Sequence, residues 1–142
     1  MQGDHIVADM RYYSSRSPSR RDVIVFEKDG TFFTKRVIAI GGDTVQEKDG
    51  DVLVNGLKID EPYIQHTQAS TSDLMANLGL PSNWMINFGP VTLPKGKYFV
   101  MGDNRDVSLD SRLPEVGLLD KRSIMGKVLY IFDSDRPGKR IR

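Results

Sequence analysis

Three turn signals between positions 28 and 56 constrain this chain more than anything else in it. Lys28-Asp29-Gly30 separates the apolar run Asp22–Phe26 from a longer run, Thr31–Ile40. Asp49-Gly50 separates Thr44–Glu47 from Asp51–Val54, and Asn55-Gly56 interrupts the run Val52–Ile59. Asp-Gly and Asn-Gly tolerate the positive φ angles of tight hairpin turns. Each pair of flanking runs therefore reads as two antiparallel strands. His5–Ala8 is a short strand at the start, and Gly41-Gly42-Asp43 breaks the long one. Pro94-Lys95-Gly96 turns the chain into Tyr98–Met101, and Ser123–Phe132 reads as a final strand. A short helix is expected from Ser72, as its cap, to Leu78, with Gly79 stopping it. Pro81, Asn83, Gly89 and Pro90 mark loop, and Trp84 is expected to be a packing anchor. The expectation is a mostly β fold of antiparallel hairpins and coiled sheets with one or two short helices. The 142 residues suit a single domain, 1–142, whose basic tail, 135–142, is expected to fray.

Composition narrows the function. With 20 basic and 19 acidic residues the net charge is +1, which gives no mandate for nucleic acid. The absence of cysteine excludes disulfides, thiolate-bound zinc and thiol catalysis. The two histidines, His5 and His66, lie in no recognisable triad motif. No apolar run approaches the roughly 18–20 residues that cross a bilayer. Met1-Gln2-Gly3-Asp4 enters a polar turn directly, as though a segment had been cut away ahead of it. Arg11–Arg21 is a Ser-rich basic loop read as solvated, although Arg16, Arg20 and Arg21 also suit anionic lipid headgroups.

Two features carry chemistry. In Phe32–Ile40 the period of two puts Phe33, Lys35, Val37 and Ala39 on one face and Phe32, Thr34, Arg36, Ile38 and Ile40 on the other. Lys35 thus stands among apolar side chains, where desolvation lowers an ammonium pKa and a neutral lysine serves as a general base. Arg36 beside it is expected to disfavour a second charge. A lone strand lysine more often snorkels to water along its stem. The other feature is Gly102–Arg112, a loop dense in Asp, Asn, Arg and Ser that follows the apolar run Tyr98–Met101. Its hydroxyls, Ser108 and Ser111, are of the kind that aims an amine.

These residues resemble the catalytic region of bacterial type I signal peptidases, the Ser/Lys-dyad endopeptidases of family S26. Asp22–Phe26 is similar to a first β block, Thr34–Asp43 to the block with the lysine base, and Gly102–Arg112 to the most distinctive block. The resemblance runs from about Gly3 to Phe132. It implies Lys35 as general base, oriented by Ser108. Arg36, Asp110 and Arg112 would form an ion-pair network, with Asp103 and Arg105 bracing the loop. Ile6, Val25, Phe33 and Thr34 would border small pockets for a substrate bound as an extended strand. It further implies cleavage of signal-peptide-bearing preproteins after Ala-x-Ala sites, at the membrane surface on the outer face of the bacterial plasma membrane. No cofactor or metal is implied.

The chain departs from the family pattern in places. Gly3-Asp4 matches the end of the family's nucleophile block, so the serine aligns about six residues ahead of Met1. The 142 residues are therefore expected to hold the base and scaffold but not to catalyse the reaction alone. Ser14, Ser15, Ser17 and Ser19 lie in a loop without a motif, and the resemblance gives Ser111 a structural role. Arg21 stands where glycine is usual, Ala39 and Gly41 depart within the lysine block, and Val107 stands where asparagine is common. Three other readings compete. A non-catalytic β module binding extended peptides keeps the fold. A Ca²⁺ loop through Asp103, Asp106, Ser108 and Asp110 lacks the ligand alternation and central glycine of such loops. A self-cleaving repressor-type Ser/Lys hydrolase does not fit the Gly102–Arg112 block.

Overall fold

The computed structural model describes residues 5–64, 77, 79, 87–105, 109–132 and 139–140. Eleven strands run in chain order: β1 His5–Asp9, β2 Val23–Lys28, β3 Thr31–Ile40, β4 Thr44–Lys48, β5 Asp51–Val54, β6 Leu57–Lys58, β7 Phe88–Thr92, β8 Lys97–Met101, β9 Leu119–Asp120, β10 Ile124–Phe132 and β11 Lys139–Arg140. The larger sheet has the order β1-β10-β2-β3-β8-β9, with β11 on β10, and the smaller is β6-β5-β4-β7. Every strand pairing in both sheets is antiparallel.

The hairpins form at the turn signals. Asp29 and Gly30, Asp49 and Gly50, and Asn55 and Gly56 all have positive φ, the conformation a two-residue turn needs to match strand twist. The observed bounds of β3 coincide with the expected run Thr31–Ile40. Two short 3₁₀ turns, Tyr12–Ser14 and Lys121–Ser123, are present. Of the expected helix Ser72–Leu78 only Asn77 is among the described residues, and it is helical; Trp84 and most of the tail lie outside them.

The segment around Gly89 and Pro90, expected as loop, is strand. Phe88–Thr92 pairs with β4, with a register shift between Val45 and Glu47, and the Gly89–Pro90 peptide is cis. A Cβ on Gly89 would lie 2.7 Å from the Val45 carbonyl oxygen, so the backbones approach too closely for a side chain. Gly and Pro advertise a break in a sequence, yet both are admitted at a bulged edge strand.

A second correction concerns β3. Strict alternation fails at a register shift between Val37 and Ala39 in the pairing with β8. Val37 packs with Ile24, Phe26, Tyr98 and Val100, and Ile40 joins that cluster. Ile38 and Ala39 pack instead with Val45, Val52, Val54, Leu93, Phe99 and Met101, a cluster that draws on both sheets. The extra residue of a bulge lets one strand feed two cores. A third cluster, Val23, Val25 and Val128 with Ala8 and Ile131, lies on the other face of the larger sheet.

Candidate active site

Lys35 sits on β3 where the strand changes character. It pairs with Ile24 of β2, which is fully buried in the first cluster. Its same-face neighbours, Phe33 and Val37, belong to that cluster too. Burial is the main cause that pushes its amine pKa below the ordinary 10.5. Asp110 opposes that shift, Arg112 adds to it, and Asp103 opposes it. The neighbouring cation that disfavours a second charge is therefore Arg112, not the adjacent Arg36. Arg36 points to the opposite face, as consecutive strand residues must.

The arginines are sorted differently from the expectation. Arg36 forks onto Asp103, with Nε to Oδ1 at 2.9 Å and Nη2 to Oδ2 at 2.8 Å. Its Nη1 donates to the Arg21 carbonyl at 3.0 Å. Arg112 forks onto Asp110, both bonds 2.9 Å, and reaches Glu47 Oε1 at 3.2 Å and the Arg105 carbonyl at 3.1 Å. Arg105 forks onto Glu61 and donates from Nε to the Gly102 carbonyl at 2.8 Å. Arg36, Asp110 and Arg112 thus do not share one pair. No two of these arginines share a carboxylate, Arg112 holds two, and two of the four carboxylates, Glu47 and Glu61, come from outside the loop.

Burial makes that pairing obligatory. The Arg112 and Asp110 side chains are 0% exposed and Glu47 is 4% exposed. Burial works against the Arg112 charge, but Asp110 and Glu47 outweigh it and its pKa moves up. Burial pushes Glu47 up, and Arg112 only partly offsets this. The loop is also tied to its strand. Asp110 Oδ2 accepts from the Gly102 N–H at 3.1 Å, and Ser111 Oγ accepts from the Val100 N–H at 2.9 Å. This is the structural role expected of Ser111. Ser108, with Asp106 and Val107, lies outside the described residues.

Three contributors escaped the sequence reading. Glu61 accepts from the Tyr63 hydroxyl at 2.9 Å, and the Tyr63 ring lies 3.9 Å beneath the Arg36 guanidinium. Glu61 and Tyr63 thereby join the Arg36–Asp103 and Arg105–Glu61 pairs into one brace. Glu47 did carry a signal. It shares the face of Val45 on β4 and pairs with Val52, so it is an acid among apolar positions, as Lys35 is a base among them. The departure at Arg21 also has a physical reason: its φ is +77°, a conformation that favours glycine.

The four proposed pocket residues separate by strand face. Val25 and Thr34 are cross-strand partners and so share a face. Ile6 pairs with Ile131, which packs on the Val23–Val25–Val128 cluster of that same face. Phe33 lies on the opposite face, the side of Lys35, stacked on Phe26 at 5.4 Å between centroids. Among the described residues, β8 pairs only with Arg36–Ile40 of β3, so Thr31–Lys35 has β2 on one side and an open edge on the other.

Comparison with known proteins agrees with this geometry. The signal peptidase, peptidase S26 family profile matches residues 1–132. Signal peptidase I of Bacillus licheniformis is 39% identical over 115 residues, covering 80% of this chain and 58% of that protein. Signal peptidase IB of Staphylococcus aureus is 35% identical over 133 residues, covering 92% of this chain and 69% of that protein. A crystal structure of a signal peptidase I from Enterococcus faecalis superimposes with a TM-score of 0.58 at 30% identity, covering 79% of this chain and 97% of that one. The chain thus spans under three-fifths of the first of these relatives. Its antiparallel sheets, its half-buried lysine beside a braced Asp/Arg loop and these matches together make the chain a member of the signal peptidase family, peptidase S26.

Proposed function

We propose that the chain carries the base and the substrate-binding edge of a serine endopeptidase that removes signal peptides after Ala-x-Ala sites. Lys35 is the general base, and Ser108 is the hydroxyl that orients it. The nucleophile is the serine that aligns ahead of Met1. Its Oγ attacks the scissile carbonyl as the neutral Lys35 amine takes its proton. The resulting ammonium then protonates the departing amine, and water hydrolyses the acyl-enzyme. The substrate joins the open edge of β3 as an added strand beside Thr34, with Val25 and Ile6 further along that face of the sheet and Phe33 on the face of the base. Preproteins are the partners, and the outer face of the plasma membrane is the place of work.

The observation that carries this reading is the position of Lys35. It is the last residue of the open half of β3, half-buried among apolar side chains that lower its amine pKa, and within the field of the Asp110–Arg112 pair. A peptide strand laid along the edge meets the base at one end.

The test joins the chain to the serine-bearing family segment and follows cleavage of an Ala-x-Ala peptide. Lys35→Ala is expected to slow turnover by about 10²–10⁴-fold while binding persists. The base acts only when deprotonated, so kcat/KM rises with pH through the lowered pKa of Lys35. The acidic limb should therefore lie below the ordinary lysine value of 10.5. The 142 residues alone are expected to bind the peptide and leave it intact. Cleavage by those residues alone, or cleavage indifferent to Lys35, defeats the proposal.

A further inference from the structure

Phe32 is the feature of the open edge that the proposed chemistry leaves unused. It is 62% exposed, a large apolar side chain left in water. Leu57 is more exposed, at 73%, but lies on the two-residue strand β6. Phe32 instead lies within Thr31–Lys35, where β3 has β2 on one side and, among the described residues, no strand on the other. It pairs with Glu27 as Thr34 pairs with Val25, so the two-residue period puts Phe32 on the face of Thr34 and Val25. Glu27, itself exposed, stands on β2, on the side of Phe32 away from the open edge.

We infer that Phe32 forms a further subsite, for an apolar side chain of the bound peptide two residues removed from the one beside Thr34. The inference rests on the strand-addition reading above. A strand added to β3 runs about 4.8 Å away, and its same-face side chains repeat every ~6.6–6.8 Å, as do Thr34 and Phe32. Opposed side chains on neighbouring strands then touch, and an aromatic ring gains most from an aliphatic or aromatic partner. The occupant is apolar because the ring offers no hydrogen bond. The nearest charge on its own face, Glu27, lies one strand further from the peptide. The specificity is therefore for a large apolar residue at one fixed distance from the small residues, set by β3 geometry.

The experiment uses the full chain and binding alone, so turnover is not needed. Peptides carrying Ala-x-Ala receive Leu, Ala or Lys in turn at each position amino-terminal to that site, and affinities are measured for wild type and Phe32→Ala. At one position, and not at its immediate neighbours, Leu is expected to bind about three- to tenfold tighter than Ala or Lys, and Phe32→Ala should erase that preference. A preference that survives Phe32→Ala, equal weakening of every peptide, or a Lys peptide binding as tightly as Leu overturns the subsite while leaving strand addition standing. Failure of every peptide to bind wild type removes strand addition, and the subsite with it. Vesicles of anionic lipid form the other arm. If Phe32→Ala weakens vesicle binding and leaves the peptide series unchanged, the ring belongs to a lipid contact and the subsite is wrong.

Discussion

The two halves of β3 are built for opposite ends. From Arg36 to Ile40 the strand has β8 on one side, and the Arg21–Asp22 backbone closes the other around Val37, with N–H···O bonds of 2.7 and 2.8 Å. Val37, Ile38 and Ala39 at its centre, and Phe99 of β8 beside them, are at most 3% exposed. From Thr31 to Lys35 β2 alone accompanies it among the described residues, and Phe32 stands in solvent. One half spends its hydrogen bonds and apolar surface on folding. The other has one strand partner among the described residues and leaves an aromatic ring in water, which is what a site that recruits a strand requires. Lys35 ends the open half and Arg36 begins the closed one, and the alternation of a strand sends their side chains to opposite faces.

The contrast can be broken most severely from the closed side. Arg112→Ala leaves Asp110 and Glu47 as buried carboxylates with their shared cation gone. It is expected to cost about 3–5 kcal/mol in chemical denaturation. A loss under about 1 kcal/mol would mean that the charges rehydrate and that the loop is not a closed network.

A smaller cost is expected at Asp43. It receives a two-pronged Arg20 contact, the Ile40 N–H at 3.0 Å and Asn55 Nδ2 at 3.0 Å. Chiefly through Arg20, its pKa falls from 3.8 to about 2. A depressed carboxylate contributes stability that is fully present above its ordinary value and is lost as pH falls toward about 2. Because the Arg20 side chain is half exposed, at 50%, the contribution is discounted to about 1–2 kcal/mol. Asp43→Asn should flatten the stability curve between pH 5 and pH 2 relative to wild type, and parallel curves would contradict the assignment.

The brace beneath Arg36 ranks near it. Tyr63→Leu removes the ring 3.9 Å from the guanidinium and is expected to cost about 0.5–2 kcal/mol. A double-mutant cycle with Arg36→Met tests whether that cost is the contact itself, since additive effects would deny the coupling. The smallest expected effect comes from the open side. Phe32→Ala should leave stability within about 0.5 kcal/mol of wild type, because the ring is mostly solvated already. A large loss of stability there would erase the difference between the two halves.

Much of the fold was legible because hairpins are local. Asp29-Gly30, Asp49-Gly50 and Asn55-Gly56 each specify a turn through the φ preference of two residues, and the flanking strands follow. Lys35 was legible by alternation with Phe33 and Val37, within the stretch before the bulge. After the bulge alternation misleads, because the extra residue arises from pairing with β8, remote in sequence. β7 was hidden for a similar reason: Gly89 and Pro90 read as a break until β4 lies against them.

The amino-acid sequence by itself determined the hairpins, the place of Lys35 among apolar side chains and the charged character of Gly102–Arg112, since each depends on neighbours along the chain. Arg112–Asp110 is local, but only the tertiary structure decided the remote carboxylates, because Arg36–Asp103, Arg105–Glu61 and Arg112–Glu47 span 67, 44 and 65 positions. Composition offers several acids for each arginine, and the choice among them follows from which strands the folded chain stacks together. The open edge of β3 has the same origin. Nothing in Thr31–Lys35 announces that β8 stops at Arg36, and it is that stop, rather than any motif, that leaves this edge of β3 without a strand among the described residues.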